Sequence, residues 1–172
     1  MNEPNTKRIE IPIKEISSIN VGDHIDIHGR ILCGRDAVLP RICKLIEEDR
    51  LDELDVNLTG SAIFHTAVSQ AGFGPTSSNK LEIENSFKNL CEAGVKVFLG
   101  KGQISPTTIE LLHHYGAIFA LVPPVSALLS QNLISQRCVK YEELGMEALY
   151  ELTLASCPSV VAVANGKDLF YE

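Results

Sequence analysis

Between Ser61 and Val122 the chain alternates short apolar runs with stretches of helical periodicity, and this alternation narrows its fold more than any other feature. Short apolar runs bounded by turn residues read as strands buried on both faces; Ser61 to Val68, Val95 to Leu99 and Ala117 to Val122 are such runs. Between them, Asn79 to Ala93 carries Ile83, Phe87, Leu90 and Cys91 at helical spacing and stops at Gly94. A second helix starts with Ser105 as its cap and Pro106 at its first position, buries Ile109 and Leu112, and stops at Gly116. Successive strands linked by helices run parallel through right-handed crossovers, so the expected fold is α/β with a largely parallel central sheet.

The flanks add to this unit. From Asp23 to Leu32 the residues alternate: Ile25, Ile27 and Ile31 share one face, and His24, Asp26 and His28 the other, solvated one. Asp36 is the expected cap of a following helix, with Pro40 in its first turn and Leu39, Ile42, Leu45 and Ile46 as its apolar stripe. Pro123-Pro124 breaks the chain before a helix containing Val125, Leu128 and Leu129. Strands are expected near 137–140, 159–164 and 167–170, with a helix around 142–152. Residues 1–10 are polar and read as a flexible N-terminal arm, and 11–172 as a single domain. A chain of 172 residues buries about 70% of its unfolded surface, enough for one core.

Charge and cysteine content exclude several classes of function. A net charge of −7 argues against a general nucleic-acid surface, where phosphate contacts dominate affinity. Cys33, Cys43, Cys91, Cys138 and Cys157 are odd in number and lack the close spacing of a zinc or iron–sulfur site. They read as reduced, mostly buried thiols of a cytoplasmic protein. The longest apolar run is far too short to cross a bilayer, so neither a membrane nor a resident metal is expected.

Three strand-to-helix junctions carry cations against this acidic body. They are Cys33-Gly34-Arg35-Asp36, the stretch from Gly72 to Lys80, and Gly100-Lys101-Gly102 running on to Ser105-Pro106. Helix N-termini expose unpaired N–H groups and partial positive charge, and ligands of open α/β sheets gather outside the carboxyl ends of the strands. Arg35, Lys80 and Lys101 therefore suggest a pocket for a small anion with more than one negative group. Thr76, Ser77 and Ser78 offer more hydroxyls than one cap needs. Gly100-Lys101-Gly102 is no Walker A loop, because it lacks the longer Gly-rich run and the Gly-Lys-Ser/Thr ending. With no nucleophile elbow and no Cys–His pairing in view, the pocket looks like half of an active site.

At this point the motifs resemble a known family. Gly34-Arg35-Asp36-Ala37, Gly74-Pro75-Thr76-Ser77-Ser78, Leu99-Gly100-Lys101-Gly102 and the segment from Tyr141 to Ala148 occur in that order. They look like the β subunit, or C-terminal domain, of iron–sulfur hydro-lyases, namely class I fumarases and L(+)-tartrate dehydratases. The ending Val160-Val161-Ala162-Val163 with Gly166-Lys167-Asp168-Leu169 fits as well. The resemblance implies a swivelling β/β/α three-layer domain over 11–172. It implies an α partner, in an α2β2 heterotetramer, whose own cysteines hold a [4Fe–4S] cluster. The implied reaction is the reversible hydration or dehydration of a small dicarboxylate such as malate/fumarate or tartrate. By the same resemblance Thr76 is the catalytic hydroxyl. Arg35, Ser77, Lys80 and Lys101 bind substrate, with Lys101 also at the reacting centre.

The chain departs from that pattern at four places. Lys80 stands where the family usually has arginine, and Val38-Leu39-Pro40-Arg41 lacks a frequent histidine. Residues around His65-Thr66-Ala67-Val68 replace a usual Gly-Pro element, and Pro123-Pro124 replaces a glycine-rich turn. Lysine cannot offer arginine's bidentate fork. An alternative function therefore stays open: a diverged, non-catalytic paralogue acting as an anion-binding or regulatory module. A stand-alone phosphate- or nucleotide-binding domain is a third alternative.

Overall fold

The computed structural model describes residues 5–69, 72–76, 80–123 and 130–170. In chain order the elements are β1 (Lys7–Ile11), β2 (His24–Cys33), α1 (Leu39–Glu47), β3 (Ala62–Phe64), β4 (Thr66–Ser69), β5 (Gly72–Thr76) and α2 (Lys80–Glu92). There follow β6 (Val97–Gly100), α3 (Pro106–Tyr115), β7 (Ile118–Leu121), β8 (Leu133–Lys140), β9 (Leu149–Leu154), β10 (Pro158–Ala164) and β11 (Lys167–Asp168). The Val125, Leu128 and Leu129 helix expected from sequence lies outside the described residues.

β2, β3, β6 and β7 lie side by side and parallel, as helix-linked strands should. β10 runs antiparallel to β7 and pairs also with β2, which closes five strands into a ring. β9 and β8 extend the sheet from β2, and the outermost of them, β8, is largely exposed. Side chains alternate between two cores. Ile27, Ile31, Phe64, Leu99 and Ile118 fill the face turned into the ring. Ile63, Phe98 and Phe119 project from the other face, where they meet Leu39 and Ile42 of α1, Phe87 and Leu90 of α2, and Leu112 of α3. The rings of Phe87 and Phe98 stack with centroids 4.2 Å apart.

The structure departs from the sequence expectations in four places. Residues 7–10 of the expected arm belong to β1, which pairs in parallel with β2 and is fastened by Lys7 to Asp23 at 2.6 Å. The two strands approach so closely that a Cβ on Gly29 (φ +109) would sit 2.8 Å from the Ile11 carbonyl oxygen. Asp36 does not cap α1: the cap position is Val38, without a side-chain hydrogen bond. The backbone closes the first turn instead, with the Val38 and Leu39 N–H groups both donating to the Arg35 carbonyl. The strand expected through Val68 breaks after Phe64 and continues as the hairpin β4–β5, so Gly72 to Thr76 is a strand rather than a glycine loop. Pro75 is accommodated because this is a separate two-stranded sheet with free edges. Finally, the helix expected around 142–152 is a short 3-10 segment, Glu142–Glu147, followed by β9. Gly145 interrupts it at φ 61, ψ −124, and pairing of β9 with both β2 and β8 overrides helical propensity.

Candidate functional site

Strand register builds the site. Leu32 and Cys33 of β2 face Ile63 and Phe64 of β3, and Phe64 faces Leu99 of β6. The carboxyl ends of the parallel strands are therefore level, and the residues just beyond each strand emerge at one edge. Backbone bonds carry the pairing past the strand ends: the Gly34 N–H donates to the Phe64 carbonyl at 3.1 Å, and the His65 N–H to the Leu99 carbonyl at 3.0 Å. Arg35, His65 and Lys101 are thus consecutive around the rim. The β4–β5 hairpin folds back so that Thr76 pairs with Thr66, next to His65.

Of the residues expected from sequence, Arg35 lies just beyond β2 with its side chain 27% exposed. Its Nε is buried without a hydrogen-bond partner among the described residues. Asp36 and Glu147 stand at 3.9 and 3.7 Å, near enough to orient the guanidinium but too far for a hydrogen bond. Lys101 is exposed beyond the end of β6. Thr76 ends β5 and Lys80 opens α2, both on backbone placement alone, while Ser77 lies outside the described residues. Backbone geometry therefore gathers Arg35, Thr76 and Lys101 at one rim and places the start of α2 four residues beyond Thr76.

The N-terminus of α3 carries the expected cap together with a protein carboxylate that the sequence did not announce. At α3 the Ser105 hydroxyl accepts from the Thr108 N–H at 3.3 Å, as a cap should. The Ser105 N–H donates to the Glu84 carboxylate of α2 at 2.6 Å. That helix end already has its anion, supplied by the protein, so Lys101 beside it remains as the cationic group of the third junction.

Three residues near the rim had no role in the sequence reading. Glu84 acts across helices. Glu147 reaches Arg35 because the segment Tyr141–Glu147 is pinned onto α1: Arg41 donates to Glu143 at 2.7 Å and lies 5.0 Å over the Tyr141 ring. His65 is 1% exposed. Burial pushes its imidazole down from 6.5 to about 4, while the Leu99 carbonyl and the charge of Asp36 act in the opposite direction. The usable signal for His65 was an ionisable residue inside an otherwise buried run; Glu147 lay inside the motif from Tyr141 to Ala148, and Glu84 had no local signal.

The cysteines are all free, and four of them are buried. Burial raises the thiol of Cys91 to about 12 and that of Cys157 to about 11, and drives Cys33 well up. Among the described residues no three His, Cys, Asp or Glu side chains gather into a possible metal site. Buried, protonated and dispersed thiols are a poor fit to an iron–sulfur cluster, which takes thiolates. Among the described residues no helix is long and apolar enough to cross a membrane.

Comparison with known proteins agrees with the family resemblance. The model of the family described as Fumarase C-terminus matches residues 2–172. The L(+)-tartrate dehydratase subunit beta of Escherichia coli (strain K12) is 31% identical, with 96% of this chain and 87% of that protein covered. A putative L(+)-tartrate dehydratase subunit beta of Methanocaldococcus jannaschii is 25% identical over 92% of this chain and 87% of its own length. The anaerobic class I fumarate hydratase of Escherichia coli (strain K12) is 27% identical over 94% of this chain. The chain spans only 31% of that enzyme.

Proposed function

The chain belongs to the Fumarase C-terminus family, and from that premise we propose that it is the β component of an iron–sulfur-dependent hydro-lyase. It would act on a small hydroxy-dicarboxylate, such as malate/fumarate or tartrate, and only together with an α partner. The observation that carries this is the single rim on which level parallel strands gather Arg35 and Lys101, with Thr76 returned beside them by the hairpin. Two separated cations match the two carboxylates of a diacid. Arginine offers a planar fork for one, and lysine a point charge for the other. Thr76 supplies the hydroxyl near the proton that is moved, Ser77 and Lys80 complete the substrate contacts, and Lys101 adds charge at the reacting centre.

This chain's residues do not suit a cluster, so the [4Fe–4S] group is assigned to the α partner, where its open iron would act as a Lewis acid on the substrate. The likeness to proteins named as beta subunits supports that partnership. We extend it to an α2β2 assembly, with the present chain as a swivelling β/β/α domain whose rim faces the partner's cluster in the cytoplasm.

The test is anaerobic co-expression with the α-type partner of the same source, followed by absorbance assays for fumarate, mesaconate and oxaloacetate. A brown complex that turns over one hydroxy-diacid supports the reading and names the substrate. A colourless chain that captures no partner and turns over no diacid overturns it in favour of a diverged anion-binding module.

A further inference from the structure

His65 is a polar side chain on the helix-facing side of the sheet, and its two ring nitrogens have different fates. Nδ1 lies 3.2 Å from the Leu99 carbonyl oxygen. A carbonyl oxygen only accepts, so Nδ1 carries the ring proton and Nε2 is left as a lone-pair acceptor. Nε2 is buried and has no hydrogen-bond partner among the described residues. The ring is fixed: it stacks on Phe87 at 5.5 Å and on Phe98 at 6.4 Å between centroids. His65 lines a cavity of about 20 Å³ together with Gly100, Lys101, Glu84, Ile104 and Phe119. That volume admits one water-sized polar group. Gly100 helps to keep the wall open, because a Cβ there would lie 3.3 Å from the Phe119 ring.

A buried acceptor without a donor is destabilising, so this nitrogen is open to a donor that binds there. The chemistry selects what that is. A carboxylate oxygen has no proton to donate and is repelled by the lone pair, whereas a hydroxyl fits. We propose that His65 is a specificity-determining residue of the site, whose Nε2 accepts a hydrogen bond from the hydroxyl of the bound hydroxy-diacid at the cavity beside Lys101. This rests on the hydro-lyase reading and deepens it: Arg35 and Lys101 recognise the carboxylates, and His65 recognises the carbon that bears oxygen. The imidazole stays neutral at neutral pH, which keeps the acceptor available.

The test uses the full chain in complex with its α partner and compares malate with succinate, the same four-carbon diacid without the hydroxyl. His65→Phe keeps a stacking ring and deletes Nε2, and His65→Gln restores an acceptor near the same place. Calorimetric affinity for malate is expected to fall about 5- to 10-fold in His65→Phe, with succinate changed less than twofold and His65→Gln in between. The melting temperature of the unliganded His65→Phe chain is expected to be unchanged or raised, because an unpaired buried acceptor has been removed. Independently of any variant, the ¹⁵N resonance of His65 Nε2 in the native complex should move on adding malate and stay put on adding succinate. Equal losses for both diacids would mean that the cavity holds a water, and would overturn the assignment. An Nε2 resonance indifferent to malate overturns it even if His65→Phe fails to fold. A native complex that binds none of malate, tartrate and succinate overturns the hydro-lyase reading together with this inference, whereas a His65→Phe complex that keeps the full native preference for the hydroxy-diacid over succinate overturns this inference alone.

Discussion

Lys101, Thr76 and His65 illustrate three ways in which a residue becomes legible. Lys101 announces itself through flanking glycines and charge. Thr76 does so through the motif Gly74-Pro75-Thr76-Ser77-Ser78. His65 sits among Ile63, Phe64, Ala67 and Val68 and looks like a strand residue until the fold shows its vacant nitrogen. Removing a positioned catalytic group typically costs two orders of magnitude or more, so Lys101→Ala and Thr76→Ala should each lower turnover of the reconstituted complex by at least ~10²-fold. Steady-state rates near the native value in both would remove them from the site. His65 also contributes to acid stability. Its folded-state value of about 4 lies below the ordinary 6.5. Between those values the unfolded chain takes up a proton that the folded chain refuses, so stability falls as pH drops through this window. The loss amounts to about 3 kcal/mol by pH 4. Melting temperatures recorded from pH 7 to pH 4 should show this decline, and His65→Phe should flatten it.

At the scale of elements, local rules predicted helices well where their end signals are chemical. α3 begins at the Ser105–Pro106 pair and ends at Gly116 in the left-handed conformation (φ 62), as its sequence indicates. α2 ends just before the chain reverses at Gly94 (φ +106), where a Cβ would meet the Thr59 Cα at 2.8 Å. Gly94→Ala should therefore destabilise the chain by more than about 1 kcal/mol in urea unfolding, since both φ and space oppose a side chain. Ser105→Ala should cost about 1 kcal/mol through the lost cap on α3, and an unchanged unfolding midpoint would mean that Glu84 alone holds that helix end. Local rules failed at Glu142–Glu147 and at the β4–β5 hairpin. In both, strand pairing decides the outcome: β9 pairs with the distant β2 as well as with β8 in one, and β4 pairs with β5 in the other.

For the whole molecule, stability rests on two cores on opposite faces of one sheet. Phe98 belongs to the outer one, fully buried between Phe87 and the sheet. Phe98→Ala should cost about 3–5 kcal/mol in equilibrium unfolding, because such a cavity cannot fully collapse. The thiols report on the same packing. Cys138 is half-buried and the other four cysteines are buried, so a thiol reagent applied to the folded chain should label Cys138 first, and all five only after denaturation. Rapid native-state labelling of Cys33 or Cys157 would contradict the closed ring.

Short-range units and the identity of the rim's cations were already set in the order of the amino acids. Alternating periodicity marked strands and helices, Ser105, Pro106, Gly94 and Gly116 marked helix ends, and ordered short motifs pointed to Arg35, Thr76 and Lys101. These depend on contacts within a few residues, which a sequence displays directly. Folding in three dimensions was needed for the rest: β10 closes five strands into a ring, Glu84 takes the N-terminus of α3, Glu147 stands near Arg35, and His65 keeps a bare acceptor beside Lys101. Each requires groups far apart in the chain to meet at fixed register, and burial that strips water from them. Neither pairing across the fold nor desolvation is written in any local window of sequence.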